Sequence, residues 1–168
     1  MLRKIILLNS ISVIFFVFLG LLSTCIQNNA FFVSQTFEPI LESPQENFFE
    51  IYKGNMTVFL KVVCGLPTFG VYPYLILCWN SFFLGTGITT FISYVGAHNL
   101  YLCSYLVFEF ISITLLTATV EAIGIKILFF LVGHPVLLNL REAITTLFRS
   151  IFFITLAGIM ETCYIYLH

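Results

Sequence analysis

The run from Ile5 to Ile26, "IILLNSISVIFFVFLGLLSTCI", contains no charged side chain. It exceeds the roughly 20 residues that carry a helix across about 30 Å of hydrocarbon. In lipid every backbone N–H and C=O must be satisfied within the protein, so a run of this kind is restricted to helix. Arg3 and Lys4 precede it as they would precede the core of a secretory signal. However, the stretch is longer than a usual signal core of about 7 to 15 residues, and the following "QNNAFF" is a poor small-residue cleavage site. We therefore expect a retained membrane helix with its N-terminus in the cytoplasm.

The remainder of the chain has the same character. The whole chain is 60% hydrophobic and 9% charged, with 20 Phe, whereas soluble domains carry roughly 25% charged residues. Further apolar stretches fall at about 54–79, 81–96, 100–131 and 143–167, separated from the first by a polar outer loop at about 27–53. The expected fold is all-α: one transmembrane domain, an integral membrane helical bundle of about five transmembrane helices. The third is short, and a re-entrant reading of it stays open. With the N-terminus inside, five spans place Arg3, Lys4, Lys126, Arg141 and Arg149 on the cytoplasmic side and leave Lys53 and Lys61 near the outer face, in line with the bias of Lys and Arg toward the cytoplasm.

In the polar loop, Glu38, Glu42, Glu46 and Glu50 recur every four residues. On a helix they would mark one face at an interface. The plainer alternative is a solvated loop whose Pro39 and Pro44 limit helix to short pieces.

Composition and spacing exclude several chemistries. A net charge of -1 without a basic run excludes the electrostatic footprint of a nucleic-acid binder. Cys25, Cys64, Cys78, Cys103 and Cys163 show no C-x-x-C spacing, and His98, His134 and His168 never stand at metal-ligand spacing. No metal site, cofactor motif or catalytic motif is visible, and the expectation is a protein without enzymatic activity. The lipid bilayer is its first partner.

Ionisable residues inside membrane spans are costly and are candidates for function. They are Lys61, Glu109, Glu121 and Glu161. At about 1.5 Å per residue, Lys61, Glu109 and Glu161 fall roughly 10, 14 and 9 Å from the outer ends of their spans. Sharing one depth, they could meet as a charged relay or a binding site for a cation or peptide amine. Alternatively, Lys61 pairs with one carboxylate and such contacts only fix how helices two, four and five pack. Glu121 falls near the inner headgroups and reads as interfacial and partly solvated.

The stretch "CGLPTFGVYPYLILCWNSFFLG", Cys64 to Gly85, adds a packing signal. Its glycines permit close helix approach. Pro67 and Pro73 remove helical hydrogen bonds that neighbours such as Thr68 or Asn80 would have to compensate. The expectation is a kinked second helix that turns near Asn80 into the short third.

Asn55, Gly65, Gly70, Asn80 and Gly85, followed by "YLVFE" ending at Glu109 and "LAGIMETCYIY" containing Glu161, form a pattern. It resembles the stage II sporulation protein M family of polytopic membrane proteins, from about Phe49 onward. Tyr105 and Leu106 stand where that family has a His-Gly pair, and Ser81 replaces the glycine after Asn80. The resemblance implies a non-catalytic accessory or scaffold subunit of a bacterial membrane complex. Its partners would be other membrane proteins, either of a cell-wall hydrolase complex or of a peptide exporter. Because some members lie beside bacteriocin genes, the resemblance also implies a second setting, as a bacteriocin export or immunity protein handling such a peptide. A small peptide or ion transporter is the further alternative, and association into a homo-oligomer stays open.

Overall fold

A computed structural model describes residues 1–26, 44–95, 104–135 and 140–167. Side chains are described within 1–24, 49–89, 104–135 and 140–163. The described chain is helical throughout: α1 (Leu2–Ile26), α2 (Pro44–Cys64), a 3-10 turn (Leu66–Thr68), α3 (Val71–Val95), α4 (Tyr105–Leu131) and α5 (Leu140–Leu167). The all-α membrane bundle anticipated from the apolar runs is what forms. Four helices, α1, α3, α4 and α5, are long and apolar enough to cross a membrane.

The partition of the middle of the chain differs from the sequence expectation. The expected span 54–79 does not exist as one helix, and the chain does not turn near Asn80. The break comes between Gly65 and Gly70, and residues 71–95 are one continuous helix. The prolines explain the shift. Pro67 sits in the 3-10 turn and Pro73 in the first turn of α3, where a helix has no use for the missing N–H. Asn80 lies inside α3, and its Nδ2 donates to the carbonyl of Ile76 at 2.8 Å, so the amide is satisfied without ending the helix. The plain-loop reading of 27–53 also gives way in part, because α2 begins at Pro44, a residue suited to a first helical position. Glu38 and Glu42 lie outside the described residues.

Side-chain register fixes the directions of the helices. Ser12 meets Tyr74, Gly20 meets Gly85 and Thr24 meets Thr89, so α1 and α3 run parallel. Ser112 meets Ser150 and Phe108 stacks on Phe153, so α4 and α5 form an antiparallel pair. The two pairs join along α1 and α4, and α2 lies against α3, α4 and α5. Because α1 and α3 point the same way, the end of α1 and the start of α3 lie at opposite ends of the bundle, and the segment between them includes α2. In that segment α2 supplies 21 residues, about 31 Å of helix. It carries Glu46, Glu50, Lys53 and Lys61, which keeps it outside the strongly apolar set.

Lipid tails are as apolar as Leu, so helix association in a bilayer relies on close packing and interhelical hydrogen bonds. Both are present. A Cβ on Gly20 would collide with the carbonyl oxygen of Phe82 and stand 3.0 Å from Gly85 Cα, while one on Gly85 would collide with the carbonyl of Val17. The backbones of α1 and α3 therefore touch, and the Thr24 and Thr89 hydroxyls bond at 2.8 Å just beyond. Between α4 and α5, Ser112 Oγ donates to the carbonyl of Ser150 at 2.7 Å and Ser150 Oγ donates to that of Ser112 at 2.8 Å, both side chains being fully buried. Phe59 and Val62 of α2 complete the core against Leu116 and Val120 of α4. The outward faces are rich in large apolar groups, such as Phe15 and Phe18 on α1 and Leu75, Trp79 and Phe83 on α3.

Helix α4 ends in a Schellman arrangement: His134 N–H donates to the carbonyl of Phe129 and Gly133 N–H to that of Phe130, with Gly133 at φ +85°. Pro135 follows and cannot continue the helix.

Candidate functional site

The carboxylate side chains lying within the bundle fall in two places. The first lies where α1, α4 and the turn before α3 converge. Glu121 of α4 is only 8% exposed, and Asn9 of α1 is 2% exposed. Asn9 Nδ2 donates to Glu121 Oε2 at 2.9 Å. The turn before α3 packs on the stem of the same side chain. Phe69 and Gly70 both adopt positive φ, 54° and 98°, and a Cβ on Gly70 would stand 2.7 Å from Glu121 Cγ. One turn along α4, Gly124 receives the backbone of Phe69, since a Cβ there would stand 2.8 Å from Phe69 Cα. Nearby, Ser12 and the Tyr74 hydroxyl bond at 2.9 Å, and Tyr74 also hydrogen-bonds the thiol of Cys78.

This overturns the sequence expectation for Glu121. It lies in the C-terminal half of α4, ten residues before Leu131. It is not a solvated interfacial residue, because Asn9 and the Phe69–Gly70 turn enclose it.

The second place holds Glu109 of α4 and Glu161 of α5. Both side chains are half-buried, and the two carboxylates lie within electrostatic reach of one another. Two of the three residues expected to meet are thus within electrostatic reach, though the Phe108–Phe153 register sets them at different levels of the α4–α5 pair. Lys61 is not the third. It is exposed in the last turn of α2 and makes no ion pair among the described residues. Its neighbour Val62 packs on Leu116 and Val120, two to three turns of α4 beyond Glu109. The reason is the relocated break: a helix ending at Cys64 puts Lys61 toward the end of the bundle where α4 finishes, whereas a span running to 79 would have put it near the opposite end.

The remaining residues of the pattern have local duties. Gly65 is buried beside the ring of Pro73, its N–H donates to the Lys61 carbonyl at 3.1 Å, and Thr68 Oγ1 donates to its carbonyl at 2.6 Å. Gly70 seats the turn on Glu121, and Gly85 seats α3 on α1. Asn55 is half-buried on α2, and its Nδ2 has no partner among the described residues, as is true of the buried Thr117 hydroxyl.

One end of the bundle is basic. Arg3, Arg141 and Arg149 line a recess of about 360 Å³ with Leu2, Glu142 and Thr146, and Lys126 lines a smaller recess beside Met1 and Ala143. The N-termini of α1 and α5 and the C-terminus of α4 therefore share this end. Among the described residues, no group of three His, Cys or Glu is arranged to hold a metal ion.

Asn9, Gly20, Ser112 and Ser150 stand outside the ionisable residues and the Asn–Gly pattern that the sequence singles out. The signal available was the presence of amide and hydroxyl side chains in otherwise apolar runs, which in lipid seek partners on neighbouring helices. Comparison of the chain with protein-family models, with curated proteins and with solved structures finds no match.

Proposed function

We propose that this membrane protein is a non-catalytic accessory or scaffold subunit of a bacterial membrane complex, embedded in the cell membrane with its N-terminus in the cytoplasm. The observation that supports this reading is how the intramembrane polar groups are used. Asn9 closes on Glu121, Ser112 on Ser150 and Thr24 on Thr89, all between helices. Spent in this way, they hold a fixed bundle whose outer faces are apolar and aromatic, the surface that other membrane helices pack against. Glu109 and Glu161, both half-buried and within electrostatic reach of one another, offer a cationic group on such a partner acidic counterparts. The basic end, with Arg3, Arg141 and Arg149 together, favours the cytoplasmic placement of the N-terminus. The resemblance to sporulation protein M points the same way.

A second reading draws on one feature, an apolar cleft of about 730 Å³ between α1, α3 and α4. A cleft of that size suits an amphipathic peptide, as bacteriocin export or immunity would need.

Crosslinking in the native membrane, followed by purification and identification of partners, tests the proposal. Other membrane proteins should be recovered with the chain, and recovery should fall in Glu109→Gln and Glu161→Gln but not in Glu42→Gln. Purification of the chain alone, together with solute transport by reconstituted vesicles, would replace the scaffold reading with a transporter.

A further inference from the structure

Arg141, Thr145 and Arg149 follow one another at intervals of four on α5 and so share one face. Arg3 of α1 faces them across the recess of about 360 Å³, and Glu142 is the only acidic residue in its lining. None of the three guanidinium groups makes an ion pair among the described residues. Two helix N-termini, those of α1 and α5, converge on the same place and add positive potential. The Thr145 and Thr146 hydroxyls donate to their own helix, to the carbonyls of Arg141 at 2.7 Å and Glu142 at 2.8 Å, so the arginines are the donors facing the recess.

The apolar side of the recess consists of Leu2, Ile6 and Leu115. Ile6 and Leu115 also line the cleft of about 730 Å³, whose other walls include Val13, Leu84 and Phe110. The two hollows therefore abut, an arginine-lined one at the basic end and an apolar one running toward the bilayer centre. A ligand fitting both has an anionic head and a hydrocarbon tail on one molecule.

We infer that this composite hollow is a binding site for an anionic phospholipid, the phosphate held by Arg3, Arg141 and Arg149 and one acyl chain lying in the cleft between α1, α3 and α4. Guanidinium groups suit the phosphate because their paired N–H donors match two of its oxygens. Basic pockets between membrane helices at a cytoplasmic surface recognise lipid heads on the same principle. The three arginines against Glu142 leave a formal surplus of two positive charges at the site, which disfavours a zwitterionic head whose own cation would meet them.

The test uses the full chain in a neutral detergent, with thermal unfolding read after adding phosphatidylglycerol, phosphatidylcholine or inorganic phosphate. Phosphatidylglycerol should raise the midpoint by several degrees more than phosphatidylcholine. Inorganic phosphate should not reproduce the shift, because it lacks the chain that fills the cleft. In Arg141→Gln/Arg149→Gln the preference for phosphatidylglycerol should disappear while the midpoint in phosphatidylcholine stays put, and Lys53→Gln should retain the preference. Should the double variant fail to fold, native mass spectrometry of the unaltered protein decides, with phosphatidylglycerol retained in preference to phosphatidylcholine from an equimolar mixture. Equal shifts or equal retention of the two lipids would overturn the site. So would a full shift with inorganic phosphate, which would mark a free-anion site, or displacement of bound lipid by an acidic amphipathic peptide at equal concentration, which would mark a peptide site.

Discussion

Asn9 on α1 holds the carboxylate of Glu121 on α4 through a 2.9 Å hydrogen bond, at a point where the chain also lays its Phe69–Gly70 turn over the same glutamate. Three separate segments thus depend on one side chain. Leaving a buried acceptor without its donor costs about 1–3 kcal/mol in general, while interhelical hydrogen bonds in lipid average nearer 0.6 kcal/mol. Asn9→Ala should therefore lower stability by about 1 kcal/mol, read as a drop in the thermal midpoint in detergent. Asn9→Ala combined with Glu121→Ala should cost less than the sum of the two, since the second change removes the orphaned partner. Strict additivity would show that the contact contributes no coupling.

The α1–α3 contact makes a sharper steric prediction. At Gly20 and Gly85 an added methyl meets backbone atoms of the facing helix, which cannot rotate away. Gly20→Ala and Gly85→Ala should each destabilise by about 1–3 kcal/mol, the range for overpacking a fitted contact. Gly54→Ala and Gly87→Ala, where nothing stands within 4 Å of the new Cβ, should be neutral or stabilising by up to about 1 kcal/mol, because alanine is the better helix former. Equal effects at all four positions would contradict the backbone contact.

At Gly70 two causes act together. Its φ of 98° is one that L side chains rarely adopt, and a Cβ would stand 2.7 Å from Glu121 Cγ. Gly70→Ala is expected to cost more than Gly133→Ala, whose φ of 85° is similar but whose surroundings are open. The difference between the two midpoints isolates the packing of the turn on Glu121.

How far the sequence speaks for the structure depends on the kind of interaction. The helical nature of the apolar segments follows from length and hydropathy, but their number does not, since five apolar spans were expected and four helices are long and apolar enough to cross a membrane; the end of α4 is written in "VGHP". Gly85 and Gly70 were recognisable as packing positions because only glycine leaves such room. The break at Gly65–Gly70 was harder to place, since Pro67 and Pro73 can either kink a helix or bracket its end, and local sequence does not decide between them. From that single ambiguity followed the misplacement of Lys61 and the false turn at Asn80. The burial of Glu121 was illegible for another reason: what covers it is a turn some 50 residues earlier in the chain and an asparagine in the first helix, and neither periodicity nor depth reports such contacts.

For Glu109 and Glu161, stability and partnership should separate. Replacing one carboxylate by its neutral isostere removes like-charge repulsion wherever both are ionised. Glu161→Gln should therefore be as stable as the unaltered protein at low pH and more stable as pH rises, the gap widening once both carboxylates would carry charge. Meanwhile its recovery of crosslinked partners should fall. A loss of stability at every pH would instead make Glu161 a packing residue with an unseen donor.

The parallel course of α1 and α3 fixes which ends of the bundle share a side of the membrane. If residues 27–70 return through the bundle, α4 descends and α5 ascends, so the chain makes an odd number of passes. In a background lacking native cysteines, Arg3→Cys and Gly133→Cys should react with an impermeant thiol reagent from one side of sealed vesicles. Ser104→Cys, and Cys163 restored alone, should react from the other side. Had α2 merely rested on the surface, with α1 and α3 antiparallel, Arg3→Cys and Cys163 would label from the same side. That outcome would break the register set by Ser12 with Tyr74, Gly20 with Gly85 and Thr24 with Thr89. Labelling from opposite sides would instead make α2, despite its charges, the segment whose helix brings the chain back across the bilayer.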